Sequence, residues 1–208
     1  MSDKKIIVVA LVLAGLLIGI GWYYFKLRPP TAAIQPSGTP LAKVTETGIS
    51  YGNPDAPVTI EEYTNFLCPA CSQFAETTFG KVKDNYVASG KVRFVFFVLP
   101  PVELSKAALC AQEQNKFIGY HDYVFAHQTQ ITDENTLKDF AVNAGLDENQ
   151  FNACYVLNKY GDKIQKWLSE AQARGVEVTP TFFINGQKFV GAQAFEEFQK
   201  IIDGKLGQ

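Results

Sequence analysis

Residues 57–71 read PVTIEEYTNFLCPAC and join a predicted strand to two cysteines that are two residues apart. The first ten of these residues are rich in β-branched and aromatic types, which favours an extended conformation. The residues that follow, 72–89, place Phe74, Val82 and Tyr86 at roughly helical spacing. The local order is therefore strand, CxxC motif, helix.

A CxxC motif at the start of a helix can form and break a disulfide reversibly. Cys68 would lie at the helix N-terminus, where unpaired N–H groups and the helix dipole stabilise a thiolate. We therefore expect the pKa of Cys68 to lie below the roughly 8.5 of a free thiol, and Cys71 to act as the less exposed resolving thiol.

Two other interpretations of Cys68 and Cys71 have to be weighed. A zinc site normally needs a second pair of ligands, and the chain has no other CxxC and no HxxxH. An inert structural disulfide is disfavoured because the loop that it would close is very short. Redox chemistry is the preferred interpretation, and we expect neither a metal nor a cofactor.

The remaining pattern alternates strands with helices. Residues 91–98 read KVRFVFFV, which predicts a buried strand parallel to the first. Asn185-Gly186 predicts a type I′ turn within a β-hairpin at 180–190. A helical insertion at about 101–174 separates these strands, and a final helix precedes Gly204. The predicted helices span 103–128, 134–144, 148–157, 162–174 and 194–203.

This order of elements is that of an α/β protein with a thioredoxin-like fold and an inserted helical subdomain. Residues 52–71, which read GNPDAPVTIEEYTNFLCPAC, and residues 178–186, which read VTPTFFING, resemble the DsbA-like thiol:disulfide oxidoreductases of bacteria. The resemblance covers nearly all of residues 51–208. The two motifs are more than a hundred residues apart and each falls in its expected element, so the resemblance is specific.

The resemblance implies roles for individual residues. Cys68 and Cys71 match the redox pair. Pro180, which follows Thr179, matches the cis-proline whose loop faces the CxxC motif and hydrogen-bonds a substrate strand. Glu62 matches the buried acid that moves a proton to or from the second cysteine.

An alternative reading of Glu62 places it on the solvent-facing side of the strand. Glu61, on the opposite face, would then be the buried acid.

Ala70 departs from the best-known pattern of the family, which has His before the second cysteine. That His helps to stabilise the first thiolate, so we expect a weaker oxidant here. The two histidines of the chain, His121 and His127, lie in the helical insertion. We expect them at the surface or at the edge of the core rather than in catalysis.

Cys110 and Cys154 lie in two different predicted helices of the insertion. Both sequence contexts are apolar, so both thiols are expected to point into the subdomain core, either as buried free cysteines or as a disulfide. Some members of the resembling family carry a second disulfide in this subdomain, and the resemblance therefore implies a structural Cys110–Cys154 bridge.

The amino-terminal segment predicts a membrane anchor at 1–28. Residues 6–25 carry no charge and are long enough to span a hydrocarbon core of about 30 Å. A cleaved signal peptide is the alternative, but the apolar run exceeds the usual length of such a segment. The Pro-containing residues 29–50 predict a semi-extended linker, followed by the thioredoxin-like domain at 51–208.

Charge and cysteine content indicate the setting of the domain. Without Asp3, Lys4, Lys5, Lys26 and Arg28, the chain has 15 basic and 20 acidic residues, a net charge of about −5 that does not indicate nucleic-acid binding. Cysteines that cycle through a disulfide suit an oxidising compartment, so the domain is expected on the extracytoplasmic side of the membrane. No dimerisation element is recognisable, and a monomer is expected.

These features predict a membrane-anchored oxidase that introduces disulfides into exported proteins. By the resemblance, reoxidation requires a membrane quinone-linked protein of the DsbB or VKOR type. Two alternatives stay open: a reductase or isomerase that a membrane electron donor keeps reduced, and a non-catalytic binding module or chaperone that retains the fold.

Overall fold

The computed structural model describes residues 48–157 and 160–207. The predicted anchor at 1–28 and the linker up to residue 47 lie outside the described residues. Within the described part of the chain, no helix is both long and apolar enough to cross a membrane.

A mixed β-sheet forms the centre of the described domain, with the strand order β1-β3-β2-β4-β5. β2 and β3 are parallel, as predicted, and the other neighbouring pairs are antiparallel. β1 starts two residues before the expected domain boundary because buried Ile49 pairs with Phe96 of β3. The strands are β1 (Ile49–Gly52), β2 (Val58–Thr64), β3 (Val92–Val98), β4 (Thr181–Ile184) and β5 (Gln187–Val190).

The hairpin between β4 and β5 has the turn that the sequence predicts. Asn185 and Gly186 adopt positive φ values of 46° and 82°, which a type I′ turn requires at both central positions. The Asn185 side chain accepts a hydrogen bond from the Thr59 N–H at 2.7 Å and thereby links the turn to β2.

The helices pack on the sheet and form the inserted subdomain. α1 (Pro69–Phe74) continues through a π-helical turn (Ala75–Phe79), α2 (Gly80–Val82) and a second π-helical turn (Lys83–Val87). Asp133 and Asp147 accept N-cap hydrogen bonds from the backbone N–H groups three residues on, those of Thr136 and Gln150. The later helices are α3 (Val102–Glu113), α4 (Phe117–Ala126), α5 (Glu134–Asn143), α6 (Glu148–Val156), α7 (Gly161–Ala173) and α8 (Phe195–Leu206).

Two predicted helix boundaries are wrong. The single helix predicted at 103–128 is two helices, because Asn115 adopts a left-handed backbone with φ of 56° and the chain turns there. The final helix does not end before Gly204 but continues to Leu206, which packs against the hydrophobic core. That packing offsets the unfavourable helix propensity of glycine, about 1 kcal/mol.

Candidate active site

The turn between β2 and α1 brings the CxxC motif to one edge of the sheet. Asn65 shapes this turn: its Oδ1 accepts a hydrogen bond from the Leu67 N–H at 2.7 Å, and its carbonyl accepts one from the Cys68 N–H at 3.0 Å. Its Nδ2 donates to the Pro100 carbonyl at 2.6 Å and ties the turn to the chain that follows β3. Cys68 therefore takes the N-cap position of α1, and Pro69 begins the helix where no N–H is needed.

Cys68 is half-buried, and its thiol donates a hydrogen bond to the Thr179 carbonyl at 3.2 Å. Partial burial by itself raises the pKa of Cys68. Hydrogen bonds from the Thr179 hydroxyl, the Cys71 thiol and the N–H groups of Cys71 and Ala70 outweigh it and lower the pKa below the usual value of a thiol. The Thr179 carbonyl can only accept, so it favours the protonated thiol. The lowered pKa of Cys68 nevertheless agrees with the shift expected for a thiol at a helix N-terminus.

Cys71 is fully buried on the inner side of α1. Burial raises the pKa of Cys71 to about 12; the Thr64 hydroxyl opposes the rise, and the Glu62 carboxylate adds to it. The two thiols therefore differ in both access and acidity. A thiolate forms more readily at Cys68, while Cys71 keeps its proton.

Glu62 lies in the middle of β2, between Phe96 on β3 and Phe182 on β4. Its side chain is fully buried, and neither carboxyl oxygen has a hydrogen-bond partner among the described residues. Burial raises the pKa of Glu62 to about 8, even though the nearby Thr64 hydroxyl opposes the rise. A carboxyl group with this pKa can hold or release a proton near neutral pH.

Glu61 points to the opposite face of β2 and is also buried. The guanidinium of Arg174 binds both of its carboxylate oxygens, at 2.7 and 2.9 Å, and donates to the Tyr63 hydroxyl at 3.1 Å. The same guanidinium lies 3.6 Å from the centre of the Phe183 ring. The alternative with Glu62 facing solvent is therefore wrong, because helices cover both faces of this central strand.

The Thr179-Pro180 segment faces the CxxC motif, as the resemblance implies. The peptide bond between the two residues is cis. The Pro180 carbonyl accepts a hydrogen bond from the Gly191 N–H at 2.8 Å, while the Thr179 carbonyl is the one that reaches Cys68. The four residues to which the resemblance assigns roles, Cys68, Cys71, Glu62 and Pro180, thus lie with Thr179 in the region where β2 leads into α1 and β4 begins.

Gln128 is a site residue that the sequence reasoning missed. It lies in a short 3-10 helix (Gln128–Gln130) after α4, and its Nε2 donates to the carbonyls of Phe66 at 2.8 Å and Cys68 at 2.9 Å. Nearby, the Ser72 hydroxyl lies 3.2 Å from the Phe125 carbonyl and 2.9 Å from a Glu76 carboxylate oxygen, and its one hydrogen is shared between these two acceptors. No sequence signal marks the contacts of Gln128 and Phe125 with this turn, because they join segments more than fifty residues apart.

His121 does not lie at the surface or the edge of the core, and that expectation is wrong. Its ring is fully buried, with centroids 4.8 Å from Phe125 and 5.6 Å from Phe117. Burial lowers the pKa of His121, although Asp122 Oδ1, 2.8 Å from Nδ1, opposes the change. The spacing of residues 117, 121 and 125 puts all three on one helix face, a signal that the sequence contained. His127 is partly exposed and stacks on Tyr123.

Cys110 and Cys154 form a disulfide between α3 and α6, with a Cα–Cα distance of 5.7 Å. Both residues are buried, so this bridge lies away from solvent, whereas Cys68 and Cys71 are free thiols. Among the residues that the structure describes, no cluster of three or more His, Cys, Asp or Glu side chains could hold a metal ion.

Comparison with known proteins identifies the family. The thioredoxin family model matches residues 44–204. A probable disulfide bond formation protein D of Bacillus anthracis is 28% identical over 170 residues, which span 76% of this chain and 77% of that protein. The crystal structure of alpha-DsbA1 of Wolbachia pipientis matches with a TM-score of 0.70 and 28% identity, over 80% of this chain and 94% of that one.

A more distant structure, oxidised BdbD of Bacillus subtilis, supports the fold. Its TM-score is 0.67 at 22% identity, and the match spans 78% of this chain and 94% of that one. The chain belongs to the thioredoxin family and, within it, is a DsbA-like thiol:disulfide oxidoreductase. The interpretation as a non-catalytic binding module is therefore set aside.

Proposed function

We propose that the protein acts as an oxidase, which passes the Cys68–Cys71 disulfide to reduced protein substrates. The observation that carries this proposal is the asymmetry of the two cysteines. Cys68 is partly exposed, occupies the N-cap position of α1 and has a lowered pKa, whereas Cys71 is buried with a pKa of about 12. A thiol of low pKa is the better leaving group, which favours release of an oxidised substrate.

In the proposed reaction, a substrate thiolate attacks the sulfur of Cys68 in the oxidised enzyme. A bond forms between substrate and Cys68, the Cys68–Cys71 bond breaks, and the Cys71 sulfur leaves with the electron pair. A second substrate thiolate then attacks the substrate sulfur of the mixed disulfide and releases Cys68 as a thiolate. The substrate loses two electrons, and the enzyme gains them as a dithiol.

The buried carboxyl of Glu62 would serve the first of these steps. A Cys71 thiolate formed inside the protein needs a proton, because its pKa is about 12. Glu62 is buried, interacts electrostatically with Cys71 and has a pKa of about 8, so it carries a proton that it can give up near neutral pH. Thr179 and Pro180 would bind the backbone of the substrate next to Cys68.

We further propose that the domain faces an extracytoplasmic compartment, held to the membrane by the predicted anchor at 1–28. The buried Cys110–Cys154 disulfide supports this setting, since such bridges persist mainly in oxidising compartments. The substrates would be reduced or wrongly oxidised exported proteins. A membrane quinone-linked protein of the DsbB or VKOR type would reoxidise the enzyme, by analogy with the family.

A reductase or isomerase is the second candidate, and Ala70 favours it. A His before the second cysteine would give the Cys68 thiolate one more stabilising partner, and this chain has none at that position. Equilibration of the CxxC pair with glutathione mixtures distinguishes the two functions. A reduction potential well above about −180 mV supports the oxidase, and one near −270 mV supports the reductase.

Single cysteine variants test the roles in the reaction. Cys68→Ser should abolish oxidation of a reduced model substrate, while Cys71→Ser should accumulate mixed disulfides because the internal resolving thiol is gone. The control is the double variant Cys110→Ser/Cys154→Ser, which removes the disulfide-bonded cysteines away from the site and should keep its activity under conditions where it stays folded. Wild-type activity of both single variants would disprove the proposed reaction.

A further inference from the structure

The 3-10 helix that follows α4 is joined to the redox-active turn by the side chain of Gln128. Gln128 has two N–H donors on Nε2, and it uses them on the carbonyls of Phe66 and Cys68, at 2.8 and 2.9 Å. These two carbonyls flank Leu67 in the turn that precedes α1. The helical insertion therefore holds the backbone of the reactive cysteine itself.

The Cys68 carbonyl is an unusually crowded acceptor. It receives the N–H of Cys71 at 3.0 Å and the N–H of Ser72 at 3.1 Å, which are the first hydrogen bonds of the helix, in addition to the Gln128 amide. Moving this carbonyl would disturb the first turn of α1. The first turn also carries the N–H groups that face the Cys68 sulfur.

The turn is thus fixed from two directions. On the side of the sheet, Asn65 links it to the Pro100 carbonyl. On the side of the insertion, Gln128 links it to the segment after α4, and the Ser72 hydroxyl adds a contact to the Phe125 carbonyl. Asn65 holds the start of the turn, and Gln128 is the side chain that reaches its end.

We propose that Gln128 is a positioning residue for the redox pair, which holds the Cys68 backbone so that the sulfur stays at the start of α1 and against Thr179. This inference deepens the proposed function and rests on its assignment of Cys68 as the thiol that substrates attack. It also gives the inserted subdomain a role in the chemistry. Any movement of the segment after α4 would reach the Cys68 backbone through this amide group, beside the packing of the Phe66 ring on Phe125.

The consequence for reactivity follows from the loss of positioning. Without Gln128, the turn can shift away from the start of α1, and the sulfur loses part of its contact with the Ala70 and Cys71 N–H groups. The pKa of Cys68 should then rise towards that of a free thiol, because these groups are among those that lower it. Cys68 would become a slower nucleophile at acidic pH and a poorer leaving group.

The test compares Gln128→Ala and Gln128→Glu with matched changes at Gln130. Gln130 lies in the same 3-10 helix and is exposed, so Gln130→Ala and Gln130→Glu reproduce the truncation and the charge change without touching the turn. The thiolate absorbance of the reduced full-length protein is titrated for each variant. Alkylation of Cys68 by iodoacetamide is timed at a pH below the wild-type midpoint.

We expect a higher Cys68 pKa in both Gln128 variants, with alkylation about threefold to tenfold slower, which corresponds to the loss of the hydrogen bond to the Cys68 carbonyl. The Gln128→Glu change should have the larger effect because a carboxylate would face two carbonyl oxygens. The Gln130 variants should match wild type. The reduction potential of the Gln128 variants should fall, since their thiolate is less stable.

A purely structural role would lower the melting temperature and leave the Cys68 titration unchanged, and that result would overturn the inference. If Gln128→Glu does not fold, Gln128→Ala decides alone. Failure of the role proposed for Gln128 can be distinguished from failure of the proposed function. A wild-type Cys68 that titrates like a free thiol would count against the proposed function, whereas variants that titrate like wild type would count only against the role of Gln128.

Discussion

The buried carboxyl of Glu62 makes the stability of the protein depend on pH in a way that a single substitution removes. In the folded protein the pKa of Glu62 is raised from 4.5 to about 8 by burial. The folded state therefore keeps a proton that the unfolded state has already lost above pH 4.5. The contribution of protonated Glu62 to the stability of the fold is fully present below pH 4.5 and is lost as the pH rises to 8.

The magnitude follows from the two pKa values. Between pH 5 and pH 8, the raised pKa of Glu62 should lower the free energy of unfolding by roughly 3–4 kcal/mol. Glu62→Gln removes this dependence, because an amide does not titrate. The free energy of unfolding of Glu62→Gln, relative to the protein that keeps Glu62, should therefore rise by the same amount between pH 5 and pH 8.

The assay is urea unfolding at pH 5, 6, 7 and 8 in a Cys68→Ser/Cys71→Ser background, which needs no reductant and leaves the Cys110–Cys154 bridge intact. Both proteins share His121, so its titration cancels in the difference. The exposed Glu148→Gln is the control and should show no such shift. A difference that stays constant within about 0.5 kcal/mol across this range would refute the raised pKa, and with it the role of Glu62 as a proton donor.

Two more substitutions probe the scaffold around the site. Arg174→Ala should destabilise the protein by about 3–5 kcal/mol, because it leaves the Glu61 carboxylate buried without its partner; the double variant Arg174→Met/Glu61→Gln should recover much of this loss in chemical denaturation. Replacing Cys110 and Cys154 by Ala should lower stability by about 4 kcal/mol in the chain-entropy model, given 44 positions between them. Substrate oxidation should persist at temperatures where this variant stays folded, and loss of oxidation there would show that the bridge takes part in the chemistry.

Local patterns in the sequence were enough to predict much of the fold. The β-branched run before Cys68 and the helix after it follow from side-chain preferences within a few residues of each other, and Asn185-Gly186 specifies a turn that few other residue pairs can adopt. Where prediction failed locally, as at Asn115, a single backbone conformation interrupted an otherwise helical pattern.

The Cys110–Cys154 bridge shows where a resemblance added to local reasoning. The helical contexts of both residues indicated burial, but burial alone is equally compatible with free thiols. Family resemblance implied the pairing, and the distance of 5.7 Å between the Cα atoms is within the range that a disulfide spans.

The chemical environment of the site depends on contacts that no local pattern contains. An alternating strand pattern suggests that one face is buried, so it cannot show that both Glu61 and Glu62 are inaccessible; helices packed on both faces of β2 decide that. Gln128 reaches Phe66 and Cys68 across about sixty positions of sequence. Short-range side-chain preferences and a compact motif were therefore enough to predict the fold class and the candidate redox pair. The groups that surround that pair could not be predicted in this way, because burial and hydrogen bonding between distant segments exist only once the insertion has packed on the sheet.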